Sequence, residues 1–204
     1  MFLLRHADVE NPRQLLYGHL PGFGLSPIGR AQATALGRRL RVEGIRRIVH
    51  SPLRRAAETA ELIAAELQPR PELASDPELR EAEFSRYLQG VPYWQIPLRR
   101  PRWYIHKLRR GLLPDDESYD AMGGRVLAVA SRLAHQHPGE TSAVVSHADP
   151  LQAAWIILDG RPRSEREMYR RPVPRAGGVR VDYSGDQVAE VAYIPPPGRE
   201  PSRA

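Results

Sequence analysis

The chain has 204 residues, 41% of them hydrophobic, enough for one core of ordinary size. It has no cysteine, which excludes disulfides, zinc sites with thiolate ligands and a cysteine nucleophile. No apolar stretch approaches the roughly 18 residues that cross a membrane, and Met1–Leu4 is too short for a secretory apolar segment, so a soluble, cytoplasmic chain is expected.

The net charge is +6, and every basic residue except Lys107 is arginine. The excess is local. Arg99, Arg100, Arg102, Lys107, Arg109 and Arg110 fall between Val91 and Leu113 with no acid among them. A local basic patch says more about a partner than a high pI does.

In chain order, Phe2-Leu3-Leu4 predicts a short strand. Ser26-Pro27 opens a helix, serine as N-cap and proline in the first turn, with Ile28, Leu36 and Leu40 as its inner face and Gly44 as its stop. Ile45 to Val49 predicts a second strand. Ser51-Pro52 opens another helix with Leu53, Ala56, Ala60, Ile63 and Leu67 at helical spacing. Pro69 to Pro77 reads as a proline-broken connection, and Pro92 to Pro114 as irregular or weakly helical. Ser118 caps a long helix striped by Tyr119, Met122, Val126, Val129 and Leu133. Ala143 to Val145 is a third strand, and Asp149-Pro150 opens a helix ended by Gly160. Val179 to Tyr183 and Val188 to Tyr193 alternate as strands, paired across Ser184-Gly185-Asp186. Strands alternating with helices predict a three-layer α/β/α sandwich with a mostly parallel central sheet. Residues 1–194 are expected to form a single domain, with 91–115 as a basic and aromatic lid insertion and 195–204 as a proline-rich tail.

Three strands deliver polar residues close to their C-terminal ends: Leu4-Arg5-His6, Val49-His50-Ser51-Pro52-Leu53-Arg54 and Val145-Ser146-His147-Ala148-Asp149. That edge is where parallel α/β sheets bind ligands, and helix N-termini there favour anions. Arg5, His6, Arg54 and His147 are therefore expected to meet around one dianion. Arginine matches phosphate oxygens with forked donors. A histidine among arginines is held neutral, leaving a ring nitrogen free to attack phosphorus. Leu79-Arg80-Glu81 offers an acid for the leaving oxygen, with Glu83 as a rival.

These segments, in this order, resemble the histidine phosphatase superfamily, in the branch containing cofactor-dependent phosphoglycerate mutases and many small phosphatases. Leu4-Arg5-His6-Ala7 is similar to its Arg-His-Gly signature, with alanine where glycine is usual. Leu25 to Ala33, Ser51 to Ala60, Leu79 to Phe84, Glu117-Ser118 and Val145 to Asp149 resemble its further motifs. Ser85 replaces a common glycine, and Asn11 lies one position nearer the histidine than the family's asparagine. The resemblance implies a phosphoglycerate mutase-like fold, and a phosphomonoester hydrolase working through a phosphohistidine on a small phosphorylated metabolite, without metal or cofactor. It implies His6 as phosphate acceptor, Arg5, Arg54 and His147 as the phosphate pocket, and Glu81 as the proton donor. Asn11, Ser26 and Ala148 would be secondary substrate contacts.

Two alternatives stay open. One is a phosphoglycerate mutase, with Arg99-Arg100 and Arg109-Arg110 anchoring a second anion; the other is a catalytically silent relative that binds a phospho-ligand or partner. The 91–115 segment is expected to lid the pocket and attract anionic esters. Trp94, Trp103 and Tyr104 among these bases also suit single-stranded nucleic acid or an anionic membrane. A lid explains the same residues with fewer assumptions, so neither nucleic acid nor membrane is expected as partner, and no oligomeric state is implied.

Overall fold

A computed structural model describes residues 1–184 and 187–198. Strand β1 (Phe2–Arg5) shows why the chain folds in three layers. Phe2 and Leu4 point into one core with Leu36, Ala60 and Ile63, whereas Leu3 points into another with Val126, Val129 and Leu151. An apolar strand whose alternate side chains are all buried must be covered on both faces. One layer holds α1 (Pro27–Arg39) and α2 (Arg54–Ala65); the other holds α6 (Tyr119–Gln136) and α7 (Ala148–Leu158).

The sheet between them comprises β2 (Ile45–His50), β3 (Glu72–Ser75), β4 (Thr141–Ser146), β5 (Gly178–Ser184) and β6 (Gln187–Ile194) besides β1, in the order β3-β2-β4-β1-β5-β6. Strands β3, β2, β4 and β1 are parallel, while β5 and β6 run antiparallel beyond β1. The sandwich with a mostly parallel sheet is as expected. In register, Arg5 pairs with Ser146 and His50 with Val145, so β1, β2 and β4 end at the same edge.

Several local expectations change. The 69–77 connection contains β3, because its extended residues complete the edge beside β2. Helix α2 begins at Arg54 and not at Ser51, and its N-cap position, Leu53, makes no side-chain capping bond. Ile28 is 66% exposed and does not line α1's inner face, which Ala33 and Leu36 form. Gly44 does stop that segment, in the left-handed conformation at φ 64°. The β5–β6 turn at Gly185-Asp186 and the tail beyond 198 lie outside the described residues.

Between β3 and α6 the chain makes three short helices, α3 (Ser85–Leu88), α4 (Ile96–Arg99) and α5 (Arg102–Leu108). They fold over a small core of their own: Phe84, Leu88, Val91 and Ile96, with Leu16, Trp103 and Leu113 packed against it. A final short helix, α8 (Glu165–Arg170), follows α7. No described helix is long and apolar enough to cross a membrane.

Candidate active site

His6 lies one residue beyond β1, with its N–H donated to the Ser146 carbonyl at 3.0 Å. Its ring is buried, and Nδ1 lies 2.8 Å from the Ala7 carbonyl oxygen. A carbonyl only accepts, so Nδ1 carries the proton and Nε2 keeps its lone pair. Burial, reinforced by Arg55 and then Arg5, drives the imidazolium pKa well below the ordinary 6.5. The ring is therefore a neutral base with one free nitrogen.

Ala7 is buried in the core. Its N–H donates to Thr59 Oγ1 at 3.1 Å, and Thr59 donates to the Arg55 carbonyl at 2.7 Å. The methyl group at this position thus fills space beneath the site, and its amide is already committed to a side chain.

His147 stands across from His6, with ring centroids 5.2 Å apart. Its Nε2 lies 2.7 Å from Ser51 Oγ. Among the described residues the Ser51 hydroxyl has no other acceptor, so it donates to Nε2 and leaves Nδ1 as the N–H. That Nδ1 has no hydrogen-bond partner and is 3.8 Å from Glu81 Oε2. Burial, with Arg55 and His6 beside it, also holds His147 neutral.

The arginine from α2 is a correction. Arg54 is 60% exposed and pairs with Glu58 at 2.7 Å on the outer face of the helix. Arg55, 1% exposed, is the guanidinium turned inward. It donates to the Gly18 carbonyl at 2.8 Å, lies over the Tyr17 ring at 4.6 Å, and is 3.7 Å from Glu81. Helical spacing carried this signal: Arg55 shares a face with buried Thr59 and Ile63, whereas Arg54 sits above Glu58, an i,i+4 pair typical of a solvated face. Gly18 supports Arg55 through its backbone. It takes φ 44°, and a Cβ there would lie 2.7 Å from the Ser85 carbonyl oxygen.

Arg5 donates to the Val173 carbonyl at 2.8 Å and lines the cleft above. Its Nε, the Arg55 Nε and the His147 Nδ1 are buried without an acceptor among the described residues. Three uncommitted donors around a free imidazole nitrogen make a receptor for an oxyanion.

Glu81 supplies a carboxylate beside Arg55 and His147. Its Oε1 accepts the Ala82 N–H at 3.0 Å, and burial raises its pKa above the ordinary 4.5 against the pull of Arg55. Glu83, by contrast, is held at about 2 despite partial burial, by Arg80 and Arg86. A carboxyl that must carry a proton suits the first environment and not the second.

The three secondary residues divide. Ala148 lines the cleft at the start of α7. Ser26 instead caps α1, accepting from Gly29 N–H at 3.0 Å and donating to Asp8 at 2.7 Å. Asn11 closes its own loop through two bonds to Leu15, at 2.8 and 3.0 Å. Residues missed by sequence reading include Ser51, Tyr17 and Arg175, which lines the cleft and pairs with Asp8. No spacing rule brings Arg175 to β1; the antiparallel return of β5 does.

The cleft has a volume of about 500 Å³ and is roofed by the 91–115 segment through Tyr93, Ile96, Pro97, Trp103, His106 and Lys107. Three of the lid's six bases are committed to carboxylates. Arg102 pairs with Asp115, Lys107 with Glu165 at 3.0 Å, and Arg110 with Glu165 and, at 2.8 Å, Asp149. Of its six bases only Lys107 lines the cleft. No cluster of metal-ligating side chains occurs among the described residues.

Comparison with known proteins shows the family and the fold. The chain is 34% identical over 201 residues to an uncharacterized protein of Mycobacterium tuberculosis, covering 95% of each. It is 29% identical over 188 residues to a probable phosphoglycerate mutase, GpmB, of Yersinia enterocolitica, covering 90% of this chain and 84% of that one. Among solved structures, YhfR of Bacillus stearothermophilus superposes with a TM-score of 0.81 at 21% identity, covering 98% of this chain and 96% of that one, a likeness of fold. The model of the histidine phosphatase superfamily (branch 1) matches residues 1–194, and the chain belongs to that family.

Proposed function

We propose that the protein hydrolyses phosphate monoesters through a covalent phosphohistidine at Nε2 of His6. The observation that carries this reading is the His6 ring itself: buried, held neutral, with Nδ1 anchored on Ala7 and three free donors around it.

In the first step Nε2 bonds to phosphorus as the ester P–O bond breaks. Protonated Glu81 gives its proton to the departing alcohol oxygen. Arg5, Arg55 and the His147 N–H take the equatorial oxygens, where charge accumulates during transfer. The Ala7 carbonyl steadies the cationic phosphoimidazole through Nδ1–H. In the second step Glu81, now a carboxylate, takes a proton from water; the water oxygen bonds to phosphorus, the P–N bond breaks, and phosphate and neutral His6 are restored. Neither step calls for a metal.

The test is labelling with a phosphate ester followed by an alkaline denaturing quench, which preserves P–N bonds. His6 should carry the phosphoryl group, and His6→Ala should lose both the label and at least ~10³-fold in kcat. Turnover without label at His6 would overturn the mechanism. Phosphoglycerate interconversion faster than phosphate release would replace hydrolase by mutase, and equal inactivity of wild type and His6→Ala on a broad ester panel would favour a silent binding protein.

A further inference from the structure

The cleft has two kinds of lining. Arg5, Glu81, Asp149, Lys107 and Arg175 bring charge to it, whereas Leu16, Phe84, Leu88, Ile96, Pro97 and Trp103 form an apolar wall. Five of these, all but Pro97, belong to the lid's own apolar cluster, so the wall stands preformed. Phe84 is further fixed by a stacked His106 ring, with centroids 4.3 Å apart and an interplanar angle of 11°. His106 in turn is bonded to Asp116 at 2.9 Å.

Two of the cleft's cations are already engaged. Lys107 bonds Glu165 and the Tyr169 hydroxyl, the latter at 2.5 Å, and Arg175 pairs with Asp8. Behind Lys107, Arg110 bridges Glu165 and Asp149. Two cations thus face two carboxylates. A second anion on the substrate would have to displace Glu165 and would meet no net positive charge, whereas a ring laid on the wall loses water from both surfaces.

Resting on the phosphatase reading of the floor, we propose that the cleft selects monophosphates of bulky, uncharged, ring-bearing alcohols and discriminates against esters with a second anionic group. Trp103 and Ile96 are the specificity-determining residues, and Lys107 holds the lid instead of the substrate.

The experiment compares kcat/KM for naphthylethyl phosphate, ethyl phosphate and phosphoglycerate, esters of alcohols whose leaving abilities are close. The naphthylethyl ester should exceed the ethyl ester by ~10-fold or more, and phosphoglycerate should not exceed it. Trp103→Ala should erase most of that advantage, bringing the naphthylethyl-to-ethyl ratio down to within about threefold of one. Binding of naphthylpropylphosphonate and ethylphosphonate to the wild type gives a second readout that needs no turnover, with the same ~10-fold preference. Equal values for the naphthylethyl and ethyl esters, preference for phosphoglycerate, or a selective ~10-fold loss on phosphoglycerate in Lys107→Ala would overturn the inference. Phosphonate preference with no ester turned over would overturn the hydrolytic reading while supporting the cleft's selectivity.

Discussion

The floor of the cleft and its roof treat charge in opposite ways. On the floor, Arg5, Arg55, His6 and His147 converge, with Glu81 beside Arg55 and His147 and Asp149 near Arg5, and three buried nitrogens keep free donors. In the roof, Arg102, Lys107 and Arg110 are matched by Asp115, Glu165 and Asp149, and the other three bases, Arg99, Arg100 and Arg109, do not line the cleft. Burying unmatched cations is costly, so a fold that does so has reserved them for an anion from outside. Matched pairs in the roof hold elements together and leave selection to apolar surface.

The sharpest way to break this contrast is to exchange the two neighbouring arginines of α2. Arg55→Ala should lower kcat/KM by ~10³-fold and abolish protection by vanadate, whereas Arg54→Ala should stay within about twofold. Comparable losses in both would mean that the exposed guanidinium also reaches the substrate.

Next comes the pH profile. His6, depressed well below 6.5, is a competent nucleophile into acid, while Glu81, raised above 4.5, is protonated only below its own pKa. kcat/KM on an alkyl ester should therefore rise as pH increases through the His6 value and fall as it passes the Glu81 value, giving an acid optimum. Glu81→Gln should cost ~10²-fold or more and remove the alkaline limb. An unchanged limb would assign the proton to another group.

For the roof, Arg110→Ala strands Asp149 and Glu165. The Arg110 side chain is 1% exposed, and breaking such a buried pairing should cost ~3 kcal/mol in unfolding free energy. A loss below about 1 kcal/mol would place these charges in solvent-screened surroundings. The smallest effect is Ser26→Ala: about 1 kcal/mol of stability from the lost helix cap, with kcat/KM within about twofold. A large activity loss would restore Ser26 to the site.

Much of this was legible. The order of strands and helices followed from apolar periodicity, and the approach of His6, Arg5 and His147 from strand ends in a parallel sheet; Glu81 comes instead from the loop after Leu79. Arg55 was legible in principle, because α2's buried stripe selects it over Arg54, but a motif match between adjacent arginines does not distinguish faces. β3 was hidden because its residues show little burial; pairing with β2 makes it a strand.

The six-base run is the most instructive case. The sequence by itself determined that these cations lie together without local acids, and that His6 follows a buried strand. Only tertiary structure decided what the cations do, because Asp149 and Glu165 arrive from 39 and 55 residues beyond Arg110. Charge compensation acts through space over a few ångströms and is blind to chain distance. The same holds for Ser51, which reads locally as a helix cap and becomes, 96 residues from His147, the group that sets its tautomer.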